Sequence, residues 1–400
     1  MKPQLTASAP APNTRLASLD AYRGFIMMAL VSSYFAIGEW TNGTPFEKVF
    51  DYQLSHVQWT GCTLWDLIQP SFMFIVGVAM PYSYASRKAK GDSDKKLFLH
   101  ALKRALILIL LGVFLRSNGH ALTYWTFEDV ISQIGLGYVF VYLTLGKGFK
   151  VQASVTAGIL VGYWLLFALW PLPQTSPFPN GDVTWEYFNG FAAHWNKGAN
   201  PLGYFDAWFL NLFPRETAWG FHSGGYGTLS FIPSMATILF GVMTGEFLAN
   251  SDRPIGKKCL RIAGMGVLFL MVGMLLDGHI WPGANWDWSV APIVKRIWTP
   301  SFVIFSTGWT LLILSAFVLI VDVWGFKKWA FPFFVVGMNP ITIYCMEGLI
   351  VGWLKKTYHL HLASVSESLA ESHLVIEILV IATLWSILYW MYRRKIFIRI

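Results

Sequence analysis

Apolar residues in this chain come in long unbroken runs, not at alternate positions and not as narrow stripes beside polar faces. Runs of roughly 17–25 apolar residues predict helices that cross a bilayer. A membrane barrel would instead alternate apolar and polar residues, and only helices or closed barrels satisfy their backbone groups in lipid. Ten such runs fall near residues 23–39, 64–85, 100–117, 129–146, 151–170, 228–248, 260–277, 299–322, 331–354 and 374–392. The expected fold is all-α and polytopic. A tail over 1–22 precedes a single transmembrane domain over 23–400, with a large outer loop, about 171–227, between helices five and six.

Composition sharpens this picture. Hydrophobic residues make up 55% of the 400 positions and charged residues 13%, against roughly a quarter charged in soluble domains. An even number of helices puts both termini on one side. Most of the 30 Lys and Arg residues flank that side, so the positive-inside rule makes both termini cytoplasmic. His56 and the 171–227 loop then face outward. The net charge of +8 is scattered through loops and makes no basic face, which excludes a nucleic-acid partner. Cys62, Cys259 and Cys345 are too scattered for a disulfide framework or a metal site. The first twenty residues lack the apolar core of a cleaved signal, so the first run is expected to be retained.

The segment from Ser55 to Gly77, SHVQWTGCTLWDLIQPSFMFIVG, places His56 ten residues before Asp66. A carboxylate at the mouth of a membrane helix is costly unless paired or hydrated. A histidine beside it can trade protons near neutral pH. The plainer alternative is a loop histidine and a helix-capping aspartate. At the cytoplasmic boundary, Asp20 and Arg23 share a helical face, and Arg15, Arg23, Lys103 and Arg104 together could hold an anion such as a phosphate, whether of a nucleotide or of a lipid headgroup. Late in the chain, PFFVVGMNPITIYCMEG sets Asn339, Tyr344 and Glu347 in an apolar run that Pro340 breaks, and PIVKRIWTPSF brings Lys295 and Trp298 to an outer helix end. Many of the 20 tryptophans, Trp59 and Trp298 among them, lie in outer segments, where they serve either as an interfacial belt or as faces on which a sugar stacks. There is no phosphate-cradling glycine loop and no serine nucleophile elbow.

Taken in order, RLASLDAYRG, HVQWTGCTLWDLIQPSFMFIVG, NPLGYFDAWFL, PIVKRIWTPSFV, PFFVVGMNP and YRRKIFIRI resemble the heparan-alpha-glucosaminide N-acetyltransferase family of transmembrane acetyltransferases, from Arg15 to Ile400. The resemblance implies transfer of acetyl from cytoplasmic acetyl-CoA, with no metal, to an amino sugar on the far side of a bacterial inner membrane. It implies that His56 is the catalytic residue with Asp66 beside it. Arg15, Asp20, Arg23 and Arg104 would contact coenzyme A, and Trp59, Lys295, Trp298, Asn339, Tyr344 and Glu347 the acceptor. It also suggests a homodimer. The chain departs from the family pattern at Ser33 or Tyr34, at Ser132 and Gln133, at Val294 and at Glu347. These departures bear on the acceptor more than on the donor, so a glucosamine-like sugar or a cell-wall fragment is expected in place of heparan. Two other functions compete: O-acylation of a surface saccharide, and sugar permeation without acetyl-CoA.

Overall fold

A computed structural model describes residues 16–32, 37–38, 40–178, 184–198, 200–250, 252–278 and 289–398. Arg15, Ser33 and Tyr34 lie outside the described residues. Each of the ten apolar runs holds helix among its described residues. The helices are α1 Ala17–Val31, α2 Glu47–Gln53, α3 Ile68–Ala89, α4 Asp94–Arg116, α5 Val130–Tyr142, α6 Phe149–Ala168, α7 Pro201–Phe209, α8 Phe231–Asn250, α9 Ile255–Asp277, α10 Pro300–Phe317, α11 Phe331–Gly337, α12 Pro340–Met346, α13 Gly352–Ala363, α14 Glu367–Glu371 and α15 His373–Arg393. Among the described residues there is no strand, only an isolated parallel bridge between Gly61 and Val294.

Among the described residues six helices are long and apolar enough to cross a membrane, and a seventh span forms if the bent pair Phe331–Gly337 and Pro340–Ala363 is taken as one. That is the architecture of a polytopic membrane protein, with a smaller count of full-length spans than the ten expected. For the run near 129–146 the cause is local: hydropathy counts apolar turns as if they were helix, whereas α5 ends at Tyr142 with 13 residues. The run near 64–85 keeps its length but is displaced, since α3 has 22 residues and starts only at Ile68. Asp66 therefore lies in the turn ahead of α3 and outside the span itself.

The helices associate through close pairs, α9 with α10, α3 with α8, α4 with α5 and α1 with α11. Small residues make these approaches, as expected where lipid offers no hydrophobic drive for helices to meet. A Cβ added at Gly77 of α3 would lie 2.0 Å from the Ile238 carbonyl oxygen of α8. Gly77→Ala is therefore expected to force the two backbones apart and to destabilise the protein by about 1–3 kcal/mol. Thermal unfolding in detergent reads this directly, and an unchanged midpoint would show that the helices have room to part.

The bent pair turns by 83° at Met338–Asn339. Pro340 has no N–H to give to the preceding turn, and the Asn339 side chain at the break reaches the end of the chain. Its Nδ2 donates to the Ile396 carbonyl at 3.0 Å, and its Oδ1 accepts from the Ile398 amide at 2.9 Å. The break thus anchors the tail that follows α15.

The long loop after α6 is folded around its own core. Trp59, Tyr163, Phe167, Trp195, Leu202, Ala291, Val294 and Ile297 form a buried cluster separate from that of the helical bundle. Its members come from the first outer segment, α6, the long loop and the segment before α10. These distant pieces of chain are therefore held as one outer layer.

Candidate functional site

Two loop segments, far apart in sequence, are laced together. In the first, the Thr63 hydroxyl donates to the Ser55 carbonyl at 2.7 Å, closing a short loop over residues 55–63. Gly61 has φ +103°, a conformation that favours glycine, and its amide donates to the Ile293 carbonyl at 2.8 Å. That bond lays the first segment against residues 291–299. The second segment turns sharply, with the Trp298 amide donating to the Lys295 carbonyl at 2.9 Å and the Thr299 amide to the Val294 carbonyl at 3.2 Å. Trp298 has φ +50°, a strained backbone for a bulky residue that costs roughly 1–3 kcal/mol. The turn points Lys295 inward.

At the junction sits the Asp66 carboxylate, 1% exposed. Its Oδ1 lies 2.6 Å from His56 Nδ1 and 3.2 Å from Lys295 Nζ. Its Oδ2 accepts from the Thr63 amide at 3.2 Å and lies 3.0 Å from the Thr63 hydroxyl, whose single proton is shared with the Ser55 carbonyl. Burial pushes this carboxyl up, but the His56 bond, the Lys295 ammonium and the Thr63 amide outweigh it and hold Asp66 at about 2. Burial pushes the Lys295 ammonium down, and the charge of Asp66 opposes that. Asp66 is thus an ionised, fully engaged carboxylate at neutral pH.

The tautomer of His56 follows from its partners. A carboxylate only accepts, so Nδ1 carries the proton shared with Asp66 and Nε2 holds the lone pair. The indole Nε1 of Trp65 donates to that Nε2 at 3.1 Å. The ring is 38% exposed. A half-exposed imidazole, oriented by a buried carboxylate through one nitrogen and basic at the other, is the arrangement of a general base. Nearby Cys62 is a poor nucleophile, because burial pushes its thiol up. Arg296 ties the site to the rest of the outer layer, donating to the Gly224 carbonyl at 2.8 Å and to the Val57 carbonyl at 3.2 Å, with its guanidinium over Tyr226.

The structure brings His56, Asp66 and Lys295 together. Lys295 faces the carboxylate instead of open solvent. Trp59 is 1% exposed, donates to the Trp195 carbonyl at 3.0 Å and stacks on Tyr187, so it braces the outer layer from within. Trp298 is 2% exposed and packs edge-on against Phe302. Asn339 is spent on the C-terminal tail. Tyr344 is half-buried on α12, and Glu347 is exposed where α12 gives way to a wider turn. Arg23 pairs with Asp20 at 3.3 Å on α1. Arg104 lies over the Tyr138 ring, and its Nε is buried without a partner. Among the described residues, no three His, Cys, Asp or Glu side chains gather as a metal ion would need.

Sequence reasoning passed over Thr63 and Trp65. A Thr three residues before an Asp is a signal that could have found the first, since that spacing lets the hydroxyl and amide close on the carboxylate. Nothing in the pattern of the sequence marks Trp65 as a cap on the imidazole.

No family model matches this chain. Curated relatives do. The heparan-alpha-glucosaminide N-acetyltransferase of Homo sapiens is 23% identical over 426 residues, covering 96% of this chain and 60% of that protein. Its Mus musculus counterpart is 24% identical over the same shares. The chain therefore spans 60% of the length of the curated relatives it matches. The family resemblance carried by the motifs extends over nearly the whole chain.

Proposed function

From that likeness to the heparan-alpha-glucosaminide N-acetyltransferase family, we propose that this chain is a transmembrane acetyltransferase. It takes acetyl from acetyl-CoA at the cytoplasmic face and gives it to the amine of a glucosamine-like sugar at the outer face, in a bacterial inner membrane. The observation that carries the reading is the half-exposed His56 paired with the buried Asp66, its second ring nitrogen turned away from the carboxylate.

A sugar ammonium is not a nucleophile until it loses a proton. Neutral His56 removes a proton at Nε2, and the imidazolium that forms faces Asp66 across 2.6 Å. The amine nitrogen then bonds to the thioester carbonyl carbon, the carbon–sulfur bond breaks, and the departing thiolate takes the proton from His56; the imidazole, neutral again, takes the second proton from the acylated nitrogen and passes it to water, which leaves the amide. One base and two converging substrates suffice, so transfer is direct, with no acetyl group held on the protein. Lys295 keeps Asp66 charged and in place. At the cytoplasmic side Arg15, Arg23 with its partner Asp20, and Arg104 would hold the donor's phosphates. The buried, unpartnered Nε of Arg104 is a donor suited to that use. Tyr344 and Glu347 are left as acceptor contacts. The homodimer has no support in these observations.

The test is acetyl transfer by purified protein in detergent with acetyl-CoA and glucosamine, following both the acetylated sugar and free coenzyme A. An amide product supports the reading. A product cleaved by hydroxylamine would mean O-acylation, and sugar binding without acetyl-CoA consumption would mean a permease.

Trp65 occupies the lone pair that the acceptor amine must reach. Trp65→Phe keeps an aromatic ring and removes the donor. Losing one hydrogen bond of about 0.5–1.5 kcal/mol is expected to speed reaction of His56 with diethyl pyrocarbonate about 2–10-fold. Equal labelling rates would show that the indole does not cap the base.

A further inference from the structure

A cavity of about 470 Å³ opens between two outer segments, 120–124 and 215–223. We propose that this cavity is a second saccharide subsite, so that the acceptor is an oligosaccharide with the ring next to the acetylated one seated there. The proposal deepens the acetyl-transfer reading and rests on it for which ring is modified.

The walls are built for a sugar ring. His120 stacks on Tyr124 at 3.9 Å, almost parallel, and Tyr124 meets Trp219 at 6.1 Å and 57°. Flat rings of this kind cover the C–H face of a pyranose. Beside them stands a donor that the protein leaves uncommitted. His222 Nδ1 accepts from the Gly224 amide at 2.9 Å, which places the ring proton on Nε2. Burial and the cations Arg116, Arg296 and Lys197 hold His222 down at about 4, so the ring is neutral and presents one donor and no charge. Hydroxyl and acetamido oxygens are the matching acceptors.

The cavity is also held in shape. Glu216 Oε1 accepts from the amides of Ala121 at 2.8 Å and Leu122 at 3.2 Å, joining the two walls. Asn211 grips the backbone of Trp219 on both sides, accepting from its amide at 2.7 Å and donating to its carbonyl at 2.9 Å. Arg215 lies over the indole, 5.0 Å from its centre. A volume of this size lies in the range of small-ligand sites, about 300–1,000 Å³. Its place suits an adjoining ring. Arg296 bonds both to Gly224, just past the cavity wall, and to Val57, next to His56. One guanidinium thus spans from the cavity to the base.

Binding of unreactive sugars tests this without any turnover. Detergent-purified protein is titrated calorimetrically with N-acetylglucosamine and with its β-1,4-linked dimer and trimer. The dimer is expected to bind about tenfold or more tightly than the monomer. Trp219→Ala and Tyr124→Leu should erase that gain, while Trp219→Phe, which keeps a stacking face, should retain most of it. Equal thermal midpoints identify the variants that remain folded, and Trp219→Phe with Tyr124→Leu carry the test if the alanine variant does not. Monomer and dimer binding alike, or a gain that survives loss of either ring, overturns the subsite. Acetylation of glucosamine is scored separately. The subsite can fall while glucosamine is still acetylated, and a dimer preference without any acetyl transfer would leave a saccharide site on a protein of other function.

Discussion

His56→Ala is expected to lower acetyl transfer by about 10²–10⁴-fold while leaving the helices intact. The ring has 38% of its side-chain surface exposed, so its removal opens little buried space, and its buried partner Asp66 keeps Lys295 and Thr63. The loss should fall on kcat, because the amine still reaches the site but finds no base. Steady-state kinetics with thermal unfolding in parallel separates this from misfolding. A variant that retains wild-type kcat would remove His56 from the chemistry and with it the central part of the proposed mechanism. Acetyl trapped on His56 when acceptor is withheld would replace direct transfer with a two-step route.

Asp66→Asn should be costly in two ways at once. It leaves the Lys295 ammonium, 6% exposed, without the countercharge that sits 3.2 Å away. Breaking a buried pair from one side typically costs about 3–5 kcal/mol. It also lets the imidazole turn, because an amide can donate as well as accept and no longer selects the Nδ1–H form. Pairing Asp66→Asn with Lys295→Met should recover much of the stability, since the buried charge is gone, and none of the activity. Thermal midpoints and rates of the two single variants and the double variant read the coupling. Additive midpoints would show that the pair does not interact.

The pH dependence has a definite sign. Asp66 titrates at about 2 in the folded protein, against 3.8 for an ordinary aspartate. A carboxyl held below its unfolded value stabilises the fold fully above that value and loses the effect as pH falls through the folded one. The gap in midpoint between wild type and Asp66→Asn should therefore hold from neutral pH down to about 4 and close toward about 2. A gap that closes near neutrality would place the stabilising charge elsewhere.

Much of the architecture is legible from sequence. Apolar runs mark the helices because spanning lipid is a demand on each segment by itself, met residue by residue. Where run and helix part, before Ile68 and after Tyr142, the reason is the same locality: hydropathy cannot tell an apolar turn from an apolar helix. The pairing of His56 with Asp66 was also within reach, since ten positions separate them and a membrane-edge carboxylate needs company.

What only the tertiary structure decided is which distant segments meet. Lys295 lies 239 positions from His56, and no periodicity links them. The link is made by the Gly61–Ile293 bond and the strained turn at Trp298. Trp59 and Asn339 carry the residue types of ligand contacts, but packing uses the first as a brace and the second as an anchor for the tail. Trp65 is an ordinary interfacial tryptophan in sequence, and its role over the imidazole exists only because the first outer loop folds back on itself. Span length and polarity are summed along the chain, so they can be read along it. Burial of a charge or the capping of a base depends on neighbours in space, and those are set by how the outer layer packs.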